Sequence, residues 1–172
     1  MHAFLKKLAG TDRRSIGKSK EVVAEVLADP SLLGVIFDGM LDSNPVLRMR
    51  SADAVEKITS EHPEYLRPYK KRLLEQIAKS GQQEMRWHVA QLFSRLKWSP
   101  KERRVIVDIL KNYLKDKSKI VKTFSMQALA DIAEQDAELR PPIIKQLESL
   151  TRTGSPAMKA RGKKLLAKLK AK

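Results

Sequence analysis

Apolar and polar positions along this chain recur in a block of twelve residues that occurs four times without a gap. Leu47–Ile58, Met85–Leu96, Val121–Ile132 and Met158–Leu169 each read apolar, basic, two variable, a short side chain, two variable, an apolar pair, two variable, apolar. The apolar and short positions fall at i, i+4, i+7, i+8 and i+11, which is one face of a helix of period 3.6. Each block therefore predicts a helix. Upstream of each lies a second apolar-periodic segment: Leu32 to Leu41, Tyr69 to Ile77, Val105 to Leu114 and Ile143 to Leu150. These predict a first helix in each copy. The basic residues of the blocks, Arg48, Arg86, Lys122 and Lys159, are 38, 36 and 37 residues apart, the length of two helices and their turns.

The boundaries carry their own chemistry. Asp29-Pro30, Asn44-Pro45 and Ser155-Pro156 each put a capping side chain before a proline at the first helical position. Ser99-Pro100-Lys101-Glu102 reads as a capping box. Loops at Ser80-Gly81 and Thr153-Gly154 are short, so successive helices are expected to pack antiparallel. Ahead of the repeats, Gly10 and Gly17 bracket a polar stretch, which predicts a loop between a short first helix and a helix near Lys18 to Asp29. The expected fold is all-α. It comprises residues 1–29 as a degenerate N-terminal cap and repeats at about 30–62, 63–96, 97–135 and 136–172, in a single domain of 172 residues.

These blocks resemble the second helix of the HEAT-repeat, armadillo-like α-solenoids, whose pattern is Val-Arg-x-x-Ala-x-x-Ala-Leu-x-x-Leu. Val46 to Ile58 and Val121 to Ile132 fit best, and Gly162 followed by Lys163 departs from it. The resemblance covers residues 30–172 and implies a right-handed α–α superhelix whose second helices line a concave groove. The groove positions it implies are Met49, Asp53 and Glu56; Trp87, Gln91 and Ser94; Thr123, Gln127 and Ala130; and Ala160, Lys164 and Ala167. It also implies a ladder from loop aspartates to the basic residues, for which Asp42 and Asp116 are the candidates beside Arg48 and Lys122. Arg86 and Lys159 lack such an aspartate.

Charge adds a partner class to this picture. Lys and Arg total 35 against 20 Asp and Glu, a formal charge of +15. It is unevenly spread: residues 30–62 carry −2, 63–96 and 97–135 carry +4 each, and 136–172 carry +7. Nucleic acid, an acidic protein or an anionic membrane surface could each use this excess. Along the last block Lys159, Arg161, Lys163, Lys164 and Lys168 offer phosphate contacts with no amide or aromatic side chain to read bases. The alternative reading is a solvated end cap.

Catalytic and metal chemistry find little to work with. There is no Cys, and His2, His62 and His88 form no His-Glu-x-x-His pattern. His62 and His88 are expected to be structural. Gly17-Lys18-Ser19 is similar to the end of a phosphate-binding loop, but Asp12 stands where its first Gly belongs and no strand precedes it. Some HEAT-like proteins are alkylpurine DNA glycosylases with an aromatic cleft beside a carboxylate; Trp87 fits the aromatic, yet one turn on stands Gln91. Trp87 is either an anchor on a polar groove or a side chain packed between second helices. Trp98 is expected to staple the helix that Ser99 starts.

The expected protein is therefore a non-enzymatic binding or scaffold module with no cofactor and no metal. Its groove residues Met49, Trp87, Gln91, Thr123, Gln127 and Lys164 take a protein partner. Nucleic acid, held through Arg86, Lys159, Arg161, Lys163 and Lys168, is the alternative. The N-terminus has no signal-peptide pattern and no uncharged stretch is longer than Pro30–Phe37, far too short to span a bilayer, which suggests a cytoplasmic chain, monomeric in itself.

Overall fold

A computed structural model describes residues 1–172. All regular structure is helical: nine α-helices and four 3-10 segments, with no strand. The chain divides into two compact units, Met1–Leu96 and Lys97–Lys172, at a boundary expected between the second and third repeats.

In the first unit the chain runs through a 3-10 turn at Ala3–Lys7, α1 (Ser19–Ala28), a 3-10 turn at Pro30–Leu32, α2 (Leu33–Gly39) and α3 (Pro45–Glu61). It continues through a 3-10 segment at Pro63–Tyr69, α4 (Lys70–Glu75), a 3-10 turn at Ile77–Lys79 and α5 (Gln83–Phe93). The 17-residue α3 is the centre, packed against α1, α2 and α5. Its Leu47, Ala54, Val55 and Ile58 are fully buried among Val22, Val26, Ile36, Phe37, Val89 and Phe93. Burying each Leu, Ile or Val side chain contributes about 1.5–3 kcal/mol, enough to hold helices too short to persist alone. Phe37 stacks on Tyr69 with ring centroids 4.0 Å apart and planes 4° from parallel, fastening α2 to the Pro63–Tyr69 segment.

The second unit holds α6 (Pro100–Tyr113), α7 (Lys119–Gln135), α8 (Arg140–Thr153) and α9 (Pro156–Lys170). Here α7 is central, packed against α6, α8 and α9, while α8 and α9 lie along each other. Val121, Met126, Ala128, Leu129, Ile132 and Ala133 form its buried stripe.

The four blocks fall in register. Arg48, Arg86, Lys122 and Lys159 are each the fourth residue of α3, α5, α7 and α9, and each donates its backbone N–H to the residue just before the helix: Asn44, Gln82, Ser118 and Ser155. Capping follows the expected chemistry. Asn44 Oδ1 accepts from Val46 N (2.8 Å) and Leu47 N (3.3 Å), Ser155 Oγ accepts from Met158 N (3.3 Å), and Ser99 with Glu102 closes the capping box (3.2 and 2.8 Å). Trp98, just ahead, is buried.

Two expectations change. The segment from Tyr69 to Ile77 is not one helix: Pro63 and Pro68 remove backbone donors from the 3-10 stretch that leads into it, α4 lasts six residues, and the backbone leaves helical geometry at Gln76 (φ −123°, ψ −62°) before another 3-10 turn. The block ending at Leu96 stops being helical at Phe93. Ser94 N and Arg95 N bond back only three residues, to Gln91 O and Leu92 O, which tightens the last turn.

The N-terminal cap is stapled by a residue that the repeat pattern leaves among the variable positions. Arg50 on α3 is 5% exposed and has no carboxylate partner. Its Nε donates to Ser15 O (2.9 Å), Nη1 to Leu8 O (3.2 Å) and Ala9 O (2.8 Å), and Nη2 to Asp12 O (3.1 Å). Gly17 has φ +56°, and a Cβ there would come within 2.7 Å of the guanidinium, so both conformation and space require glycine.

Candidate functional site

On the first unit the α3–α5 face carries the residues of interest. Helical spacing places Asp53, Glu56 and Lys57 on one flank of α3, and Glu84, Trp87, His88 and Gln91 along α5. Ion pairs lace this face. Lys57 Nζ lies 2.6 Å from Asp53 Oδ2, which also accepts from Ser19 Oγ at 2.6 Å, and Arg95 pairs with Glu56. Trp87 is half-buried, its ring tilted against His88 with centroids 5.8 Å apart. Gln91, also half-buried, turns its Nε2 back to Trp87 O at 3.3 Å. Glu84 is buried.

His88 is buried, and its Nδ1 has no hydrogen-bond partner. Burial pushes the imidazole down to about 4, with the Asp53 carboxylate pulling the other way. It is therefore neutral at pH 7. His62, by contrast, sits at the junction after α3, stacked on Tyr65 and 3.1 Å from Glu64.

The expected groove set is redistributed. Met49, at 7% exposure, and Ala130, at 2%, are buried rather than presented on a groove. In the second unit Thr123 bonds its own helix at Lys119 O (2.8 Å). Gln127 is engaged at both ends, giving Nε2 to Asp131 (3.0 Å) and accepting Arg161 Nη1 at its Oε1 (2.8 Å). Lys164 is exposed.

Asp42, the candidate carboxylate beside Arg48, meets that arginine through its backbone carbonyl. Asp42 Oδ1 accepts from Asn44 N and Asp116 Oδ1 from Ser118 N, each at 2.8 Å. With the Asp42 carboxylate engaged by its own turn, Arg48 bonds carbonyls. Arg48 Nη1 donates to Asp42 O and Ser43 O, with Nε on Gln82 Oε1. Arg86 Nε donates likewise to Ser80 O at 3.0 Å, so it is held within the fold rather than freed by the missing aspartate.

The charges of the basic helix α9 and of Lys172 after it divide into spent and unspent. Lys168 and Lys172 pair with Glu134 at 2.5 and 3.0 Å, and Lys170 with Glu148 at 2.6 Å. The Lys168 hydrogen bond lowers the Glu134 carboxyl and is matched by a raised Lys168 ammonium. Arg161 is tied to Gln127. Lys159, Lys163 and Lys164 remain exposed without such partners.

Nowhere do three or more His, Asp or Glu side chains gather as metal ligands, and no helix is long and apolar enough to cross a membrane. No protein-family model matches the chain, and no curated protein matches it. Among solved structures it is similar to the crystal structure of an engineered protein, at TM-score 0.71 and 15% identity, covering 98% of this chain and 78% of that one; the likeness is one of fold.

Proposed function

We propose that this chain is a non-enzymatic binding module of HEAT-like repeats that takes a protein partner on the α3–α5 face of its first unit, with Trp87 as anchor. The right-handed superhelix and concave lining that the repeat resemblance implies belong to the same reading. The observation that carries it is a half-buried tryptophan on a face otherwise made of ion pairs and amides. A large aromatic ringed by polar groups can bury area at low conformational cost, the pattern of an interface hot spot. The test places a photo-crosslinking residue at position 91, one turn from Trp87, in the native cell, with exposed Glu75 as control, and measures the captured protein's affinity for the purified chain. Trp87→Ala is expected to weaken that affinity by about 2 kcal/mol with little change in stability. A lower melting temperature with unaltered affinity would make Trp87 a core residue instead.

Nucleic acid is the second reading, favoured by Lys159, Lys163 and Lys164 standing exposed and unpaired along α9. They are spaced to follow a phosphate backbone without reading bases.

A further inference from the structure

The loop after the Ala3–Lys7 turn folds back against α3 and leaves an open pocket of about 410 Å³ lined by Lys6, Lys7, Ala9, Gly17, Lys18 and Arg50. Four of these six residues are cations. Two glutamates on α1 flank them: Lys7 lies 2.5 Å from Glu25 and 3.1 Å from Glu21, and Lys18 lies 3.7 Å from Glu21. Lys7 is thus neutralised, its ammonium raised by the Glu25 hydrogen bond. Lys6 has no acidic partner, and Arg50 meets only backbone carbonyls. Four cations against two carboxylates leave two positive charges in excess at the pocket wall.

Arg50 makes this arrangement costly unless something answers it. A buried guanidinium without a carboxylate loses hydration that carbonyl dipoles only partly replace. Five N–H groups serve four carbonyl bonds, so one donor remains unspent. The left-handed Gly17 keeps side-chain bulk from the same wall, and the ten-residue α1 begins two residues on, adding the partial positive charge of its first turn.

We propose that this pocket binds a phosphate dianion, free or as the monoester of a small molecule. Lys6 and Lys18 reach it from the rim, and Arg50 supplies the fixed charge at the wall. A dianion matches the charge excess, and the volume leaves room for a substituent beyond the phosphate. The site is independent of the α3–α5 face and of α9.

The test titrates the full-length, isotope-labelled chain with inorganic phosphate, and separately with glucose 6-phosphate, at constant ionic strength held by chloride. The expected result is saturable shifts of the Gly17 and Lys18 amides and of the Arg50 Nε–H, absent when glucose replaces its phosphate ester. Tighter binding of the ester assigns a phosphorylated small molecule; equal binding assigns free phosphate. The double variant Lys6→Gln/Lys18→Gln, altering two exposed side chains, should raise Kd at least tenfold with helix content and melting temperature preserved. Linear, non-saturating shifts, shifts confined to Lys159, Lys163 and Lys164, or an unchanged Kd in the double variant would overturn the proposal.

Discussion

His88 shows how one side chain couples burial to solution conditions. In the unfolded chain its pKa is near the ordinary 6.5, whereas in the fold burial holds it at about 4. Between these values the unfolded state binds more protons, so stability rises with pH and is lost as pH falls from 6.5 toward 4. The difference corresponds to about 3 kcal/mol. Asp53 and Glu84 oppose the shift and Lys57 reinforces it, so all three share in the charge balance. Denaturant unfolding at pH 7 and pH 4.5 is expected to differ by most of this amount, and in His88→Leu the His88 share of the difference should vanish. A wild-type stability flat over that range would show the imidazole to be hydrated in the native state. The sequence shows a histidine beside an apolar face, which made a structural role legible. It could not show that Nδ1 goes unpaired, because that depends on which atoms of α3 lie opposite. Arg48 and Arg50 make the same point: both are arginines on one helix, yet the repeat singles out Arg48, while Arg50 is the buried one that bonds Leu8, Ala9, Asp12 and Ser15.

At the level of helices, the short position of the first and last blocks sets how closely the two helices of a pair approach. Ser51 on α3 lies against Gly39 of α2, and Gly162 on α9 lies against Thr151 of α8. A Cβ at residue 162 would land on Thr151 Oγ1 and come within 2.9 Å of Thr151 Cβ and 3.1 Å of Met126 Cε. Gly162→Ala should therefore cost about 2 kcal/mol through overpacking, despite the better helix propensity of alanine. Adding Thr151→Ala is expected to recover part of the loss by removing the hydroxyl. A stabilised Gly162→Ala single variant, read by thermal unfolding, would mean that α8 and α9 separate freely. Gly162, which departs from the family pattern, is in this light a packing feature. The same block position that carries Arg50 carries His88 and Arg161, and all three turn toward a preceding element: the N-terminal loop, the charges of α3, and Gln127 of α7. Their side chains differ because the surfaces they meet differ, which is why the sequence reads that position as variable.

For the molecule as a whole, the +15 charge is the dominant long-range property. Sequence counting offers five phosphate contacts along the last block, which would give log K against log salt a slope of about −4.5 on duplex DNA. Ion pairing and the Arg161–Gln127 bond leave three, Lys159, Lys163 and Lys164, for which the same rule gives about −2.7. Charge reversal at Lys163 and Lys164 should flatten that slope by about two units with helix content intact. Undetectable duplex binding at low salt would remove nucleic acid as a partner of this helix.

The sequence by itself determined the helical architecture, the register of its four blocks and most helix starts. Those features depend on local rules: apolar period, Asn, Ser and Asp caps, and proline at the first turn. Net charge and its drift toward the C-terminus were equally legible. Tertiary structure alone decided which charges are spent. Glu134, Glu148 and Gln127 meet residues of α9 and the C-terminal Lys172 from 22 to 38 positions away, and Arg50 reaches back 35 to 42 residues to its carbonyls. It also decided that Met49 is covered and that Lys6, Lys18 and Arg50 share one pocket. Such pairings join side chains that the repeat leaves variable and that lie tens of residues apart, so the apolar pattern does not encode them and packing assembles them.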